Sequence, residues 1–169
     1  MELTRRTALA AAIGTFGTGV MVGRDPDPPS GRERLTDADR DTMVIVAQIV
    51  FPTAITEPKP IVSAYVAALY PSRRRGITAA IDDLNRESRR RHGRNFAAVD
   101  VDRGERILRG IGVDRVHADP QGTSPERIRA YLVDGLLFAL FTQPIGTELF
   151  NIENPLGYPG GVESALGLE

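Results

Sequence analysis

Cysteine is missing altogether from this chain of 169 residues. That absence excludes disulfides, Cys-ligated zinc, iron–sulfur clusters, CxxCH haem attachment and a thiol nucleophile in one step. Histidine is nearly as scarce, with only His92 and His117, far apart in sequence. Lysine occurs once, as Lys59, so arginine carries the positive charge. A GC-rich coding bias explains that better than a function does. Neither sign of charge dominates, at 21 basic against 22 acidic residues. A chain so balanced has no global attraction for nucleic acid or an anionic membrane. GxSxG, Walker A and HExxH motifs are absent too. The sequence therefore argues against a self-sufficient enzyme, and it offers no catalytic, metal or cofactor residues to name.

What is present starts at the N-terminus, in "TRRTALAAAIGTFGTGVMVG". Arg5 and Arg6 stand side by side, and Thr7 to Gly23 carries no charge. Paired arginines before a mild Gly/Ala/Thr-rich run form a twin-arginine export signal. The run is shorter than the roughly 20 apolar residues that a spanning helix needs. No A-x-A follows it, so the segment is either cut at an atypical site or kept as an anchor. The glycines of "GTGVMVG" lack the strand before and helix after that dinucleotide binding requires, and count as composition only. Residues 1–23 are thus read as the signal, 24–34 as a Pro-rich linker and 35–169 as one domain. The twin-arginine route carries folded cargo. With no cofactor motif in this chain, a partner loaded before export becomes the more interesting passenger.

The body reads as helices. Thr36 with Asp39 forms a capping-box start, and "MVIVAQIVF" carries a helix to Phe51, where Pro52 stops it. That helix is apolar nearly all round, which predicts a central position. Ile61, Val62, Tyr65, Val66, Leu69 and Tyr70 form one apolar face of a second helix, ended by Pro71. A third uses Ile77, Ala80, Ile81 and Leu84 and fades near Gly93. A shorter one spans Asp102 to Gly110. The last strong helix has Ser124 as N-cap, Pro125 in its first turn, and runs to Phe141 with Ile128, Leu132, Leu136 and Ala139 or Leu140 inward. Gly135 in its middle costs about 1 kcal/mol against alanine, which a close helix–helix approach would explain. No stretch alternates with period two. The expected fold is all-α: about five helices and an irregular Gly/Pro-rich C-terminal tail.

Three charged clusters invite chemistry and do not sustain it. "DADRD" imitates a calcium loop, but Thr42 and Gln48 occupy the positions that need Gly and Glu. Arg73–Arg75 and the cluster Arg86, Arg89, Arg90, Arg91 and Arg94 lack interleaved aromatics, so they read as a solvated helix face, with docking to an acidic partner or lipid head groups as the alternative. His117 with Asp114 and Asp119 sits in a loop segment with no second histidine nearby.

Three stretches together resemble the small subunit, often called subunit 3, of gluconate 2-dehydrogenase-type membrane-associated dehydrogenases. They are "TRRTAL", "LTDADRDTMVIVAQIVFPTA" and "LLFALFTQPIGTELFNIENPLGYPGG". The last is similar to the family's terminal helix, T-x-P-x-G turn and G-Y-x-G tail. The middle, Arg73 to Gly122, matches weakly. The resemblance implies a helical subunit without flavin or haem of its own. Its partner would be a separate flavoprotein, the FAD-bearing large subunit of the glucose–methanol–choline type, oxidising a sugar, sugar acid or polyol. Electrons often pass on through a cytochrome c subunit. The small subunit would carry the export signal to the twin-arginine translocase, assist maturation, and reside outside the cytoplasm in a membrane-associated complex. The competing reading is a stand-alone exported helical binding or structural protein. A third is an enzyme with a site built from His117, Tyr158 and nearby carboxylates.

The tail "FNIENPLGYPGG" fails as a phosphate cradle, because no helix N-terminus with good signals follows its glycines. Pro155 and Pro159 fix the backbone, and Tyr158 offers a ring with one polar tip. Asn154, Pro155, Gly157, Tyr158, Pro159 and Gly160 are therefore candidate partner-docking residues. Packing of the same loop over its own helices is the equal alternative.

Overall fold

The structure is a computed structural model and describes residues 31–149, without the side chains of residues 147 and 148. The signal residues Arg5 and Arg6 and the tail residues 154–160 lie outside the described part. Within it the chain is helical, as expected. Five stretches form the frame: α1 (Asp37–Val50), α2 (Lys59–Ala68), α3 (Pro71–His92), α4 (Val101–Gly110) and α5 (Ser124–Ile128). A π-helical turn (Arg129–Val133) then leads without a break into α6 (Asp134–Phe141), and α7 (Pro144–Leu149) follows. Among the described residues no helix is long and apolar enough to cross a membrane.

α1 begins where the capping box predicts. The Thr36 N–H donates to Asp39 Oδ2 at 2.8 Å, and the Asp39 N–H donates back to Thr36 Oγ1 at 3.2 Å. Two helix-end donors are thereby satisfied, with a carboxylate at the positive end of the dipole. The helix occupies the centre, touching α2, α3, α4, α6 and the π turn. Met43, Val46 and Ala47 are fully buried along it. Burial of such side chains contributes about 1.5–3 kcal/mol for each large one.

Pro71 does more than end α2. It also opens α3, which starts several residues earlier than the apolar spacing suggests. The proline ring suits a first helical turn, where its missing N–H would lack a partner anyway. α3 ends on Gly93 at φ 69°, a left-handed cap that glycine adopts without strain. The predicted inner face of α3 is fully buried at Ile77, Ala80, Ile81 and Leu84. Tyr70, by contrast, stands 53% exposed between α2 and α3 instead of facing inward. The chain there is extended, at φ −83° and ψ 162°, so helical spacing no longer governs the direction of its ring.

The residues ahead of α1 are tied to α3. The Arg32 carbonyl accepts from Thr78 Oγ1 at 2.8 Å, and Arg75 pairs with Glu33 at 2.7 Å.

The start of the last long helix differs by one residue from the sequence reading. Thr123, not Ser124, is the cap: its N–H and hydroxyl both donate to Glu126 Oε2, at 2.6 and 2.7 Å. Thr123 has the extended backbone a cap requires, whereas Ser124 is already helical. The inner face is the one the spacing predicts, with Ile128, Leu132, Leu136, Ala139 and Leu140 all buried.

Candidate docking site

Where α2 passes α6, close packing is possible because Gly135 has no side chain. A Cβ there would lie 2.6 Å from Tyr65 Oη and 3.4 Å from Arg73 Nη2. The space at Gly135 is taken by the ends of these two side chains and not by a neighbouring helix backbone, so the helix–helix approach expected there is one through the Tyr65 ring. Beyond this contact the helices leave an open groove of about 520 Å³. Ala64, Tyr65, Ala68 and Leu69 form one wall, and Phe138, Ala139, Thr142 and Gln143 the other. Phe138 is 49% exposed at its edge, and Ile145 (47%) and Leu149 (40%) continue the apolar surface along α7. Apolar rings and methyl groups left this accessible mark a surface suited to being covered.

Arg73 is the one charged residue in the groove lining. Its position follows from the π turn. An i→i+5 turn loosens the ordinary helical ladder, and Arg73 Nη2 donates to the Ala130 carbonyl at 3.1 Å. The guanidinium also lies 5.0 Å from the centre of the Tyr131 ring, within reach of a cation–π attraction. Tyr131 in turn presses on Gly76 of α3, the residue small enough to admit its ring.

Behind this shell sits a partly buried ion pair. Arg129 donates to the Val113 carbonyl at 3.1 Å and lies 3.7 Å from Asp134. Burial pushes the Asp134 carboxyl above its ordinary value, with Arg129 and Arg73 acting against that rise. A second ion cluster fastens α3 to α5. Asp83 accepts from Arg86 at 2.7 Å and from Arg127. Burial alone would raise the Asp83 pKa, but these hydrogen bonds prevail and hold it below the ordinary value.

The charged clusters of the sequence resolve as follows. Arg86 pairs with Asp83, Arg90 and Arg91 both with Glu87, and Arg89 donates to Asn95. Arg86 and Arg90 thus serve the helix that bears them, while Arg89 reaches the segment after it and Arg91 also donates to the Gly110 carbonyl at the end of α4, at 3.2 Å. His117 is exposed, and the nearby Glu126 carboxylate is committed to the Thr123 cap, whose hydroxyl and N–H hold it below its ordinary value. Asp119 receives the Gln121 N–H at 2.8 Å, and Asp114 lies 4.0 Å from Arg115. Among the described residues no group of three or more His, Asp or Glu side chains is placed to hold a metal ion. Sequence reasoning singled out Arg73 only as one of a basic trio with Arg74 and Arg75, and did not find Arg129 or Asp134. One signal was available for the last two: they stand five apart, a spacing that misaligns charges on an α-helix and aligns them across a π turn.

Fold and groove together define a small all-helical domain with an apolar channel open at its side. The family model described as gluconate 2-dehydrogenase subunit 3 matches residues 37–160, and the chain belongs to that family. No curated protein and no solved structure matches the chain.

Proposed function

We propose that this chain is the non-catalytic small subunit of an exported dehydrogenase complex. Its role is to carry the twin-arginine signal for a flavoprotein partner and to help that partner mature and stay stable. The partner is of the glucose–methanol–choline type, holds the FAD, and oxidises a sugar, sugar acid or polyol. A cytochrome c subunit would take the electrons onward, with the complex held at the membrane outside the cytoplasm. The observation that carries this reading is a conjunction. A family match covers nearly the whole helical domain, and paired arginines, Arg5 and Arg6, precede it. Subunit 3 of a dehydrogenase with its own export signal is suited to escort a folded partner.

Co-expression of the chain with a candidate flavoprotein of the glucose–methanol–choline type from the same genome provides the test. In the wild type the flavoprotein should reach the cell envelope and co-purify with the small subunit. With Arg5→Lys and Arg6→Lys together it should stay in the cytoplasm. Normal export of the flavoprotein by that double variant would refute the escort role. Failure of the two chains to co-purify would favour the stand-alone helical protein.

A further inference from the structure

We propose that the groove between α2 and α6 is filled by the chain's own segment 150–160, which folds back as the last layer of the domain. Four observations converge on that occupant. Position is the first: Thr142 and Gln143 line the groove, and α7 begins at the next residue. α7 turns close against α6, so close that a Cβ on Gly146 would lie 2.7 Å from the Leu140 carbonyl carbon. α7 has six residues and is about 9 Å long, so its end stays near the groove, and the eleven residues 150–160 can span up to about 36 Å when extended.

The second is extent. The family match continues to residue 160, so this segment belongs to the shared domain and is not an appendage to it. The third is chemistry. The groove is apolar with a single charged residue, Arg73. The segment supplies Phe150, Ile152, Leu156 and Tyr158 with a single charged residue, Glu153. One carboxylate among apolar groups complements one guanidinium among apolar groups. The fourth is entropy: Pro155 and Pro159 restrict the free segment and lower what it loses on docking. This inference stands apart from the export role, since the segment closes the groove within the isolated chain.

The chain contains no tryptophan, so Tyr158→Trp introduces a single reporter into the full chain. Its fluorescence should be blue-shifted and shielded from acrylamide, independent of protein concentration and of added dehydrogenase. Ala68→Arg should then shift the emission to the red and restore quenching while the helical circular dichroism is unchanged. Ala64→Arg provides a second blocking variant, and both alanines are exposed in the described fold, so arginine is tolerated there. Ile152→Trp repeats the measurement at a second point of the segment. A solvated tryptophan in the isolated chain overturns the proposal. So does shielding that needs the dehydrogenase, which makes the segment a partner-docking element. Shielding that rises with concentration overturns it in favour of a second copy, and shielding that survives both arginines removes the groove as the seat.

Discussion

Alanine at Gly76 should be far more damaging than alanine at Gly135, although both glycines lie in helices. Helix propensity favours the exchange by about 1 kcal/mol at each site. Space separates them. A Cβ on Gly76 would meet three carbons of the Tyr131 ring, the farthest at 2.7 Å, where ordinary contact needs about 3.5–4.0 Å. The ring cannot retreat easily. Tyr131 is 5% exposed, lies under Arg73, and belongs to the π turn. Overpacking of this kind costs about 3 kcal/mol, the upper part of its usual range. The net loss for Gly76→Ala is then about 2 kcal/mol, or about 8 °C in Tm for a domain of this size. At Gly135 the clash is with Tyr65 Oη, the far end of a half-buried side chain that can swing aside. There the change should remain within about 1 kcal/mol of neutral. Urea unfolding of both variants measures the difference. The assay also admits a sharper form, in which Gly76→Ala is made in a Tyr131→Ala background. With the ring removed, the new methyl should be neutral or stabilising, and the coupling should account for the whole loss. A Gly76→Ala variant as stable as wild type would refute the packing argument outright.

Other outcomes follow from the ion pairs and caps. Asp83→Ala should destabilise by about 3 kcal/mol in chemical denaturation, because Arg127 loses its buried partner while the exposed Arg86 loses little. Asp83 is held below its ordinary pKa, so its contribution is complete above the unfolded value and is lost as pH falls through the folded one. Asp83→Asn should therefore flatten the acid limb of a stability–pH profile. Glu87 is pulled down to about 2, chiefly by the hydrogen bond from Arg90, so its contribution fades between the ordinary glutamate range and about pH 2. Glu87→Gln should reduce the slope in that window without touching the neutral-pH fold seen by circular dichroism. Thr36→Ala removes the α1 capping box and should cost about 1 kcal/mol in urea unfolding. Gly93→Ala should cost about 1–2 kcal/mol by backbone strain alone, since open space surrounds the site.

Much of the fold was legible because its helices carry their own punctuation. The capping box at Thr36, the stop at Pro52 and the left-handed Gly93 are local signals, and each falls where the chain uses it. The groove was not legible. It depends on which helices meet, and Ala64 and Phe138 lie 74 positions apart. Tyr70 shows the limit of periodicity, because two extended residues between two helices, Leu69 and Tyr70 itself, release it from the face its spacing suggests. Arg73 could not be distinguished from its neighbours Arg74 and Arg75 by sequence. Only the approach of the π turn selects it for the Ala130 carbonyl.

That turn has a consequence for how the last helix keeps its core contact. Ile128, Leu132, Leu136 and Leu140 recur every four residues, and all are buried. On a plain α-helix, twelve residues at about 100° each overshoot whole turns by about 120°, which would carry Leu140 well round from the line of Ile128. One residue absorbed by the π turn removes about 100° of that drift. The turn acts as a phase correction that lets a four-residue repeat stay in line. Deleting a single residue between Arg129 and Val133 should therefore be tolerated in phase, since eleven residues at about 100° fall within about 20° of three whole turns, whereas forcing all the residues into a plain α-helix would rotate the second half off the core it now completes.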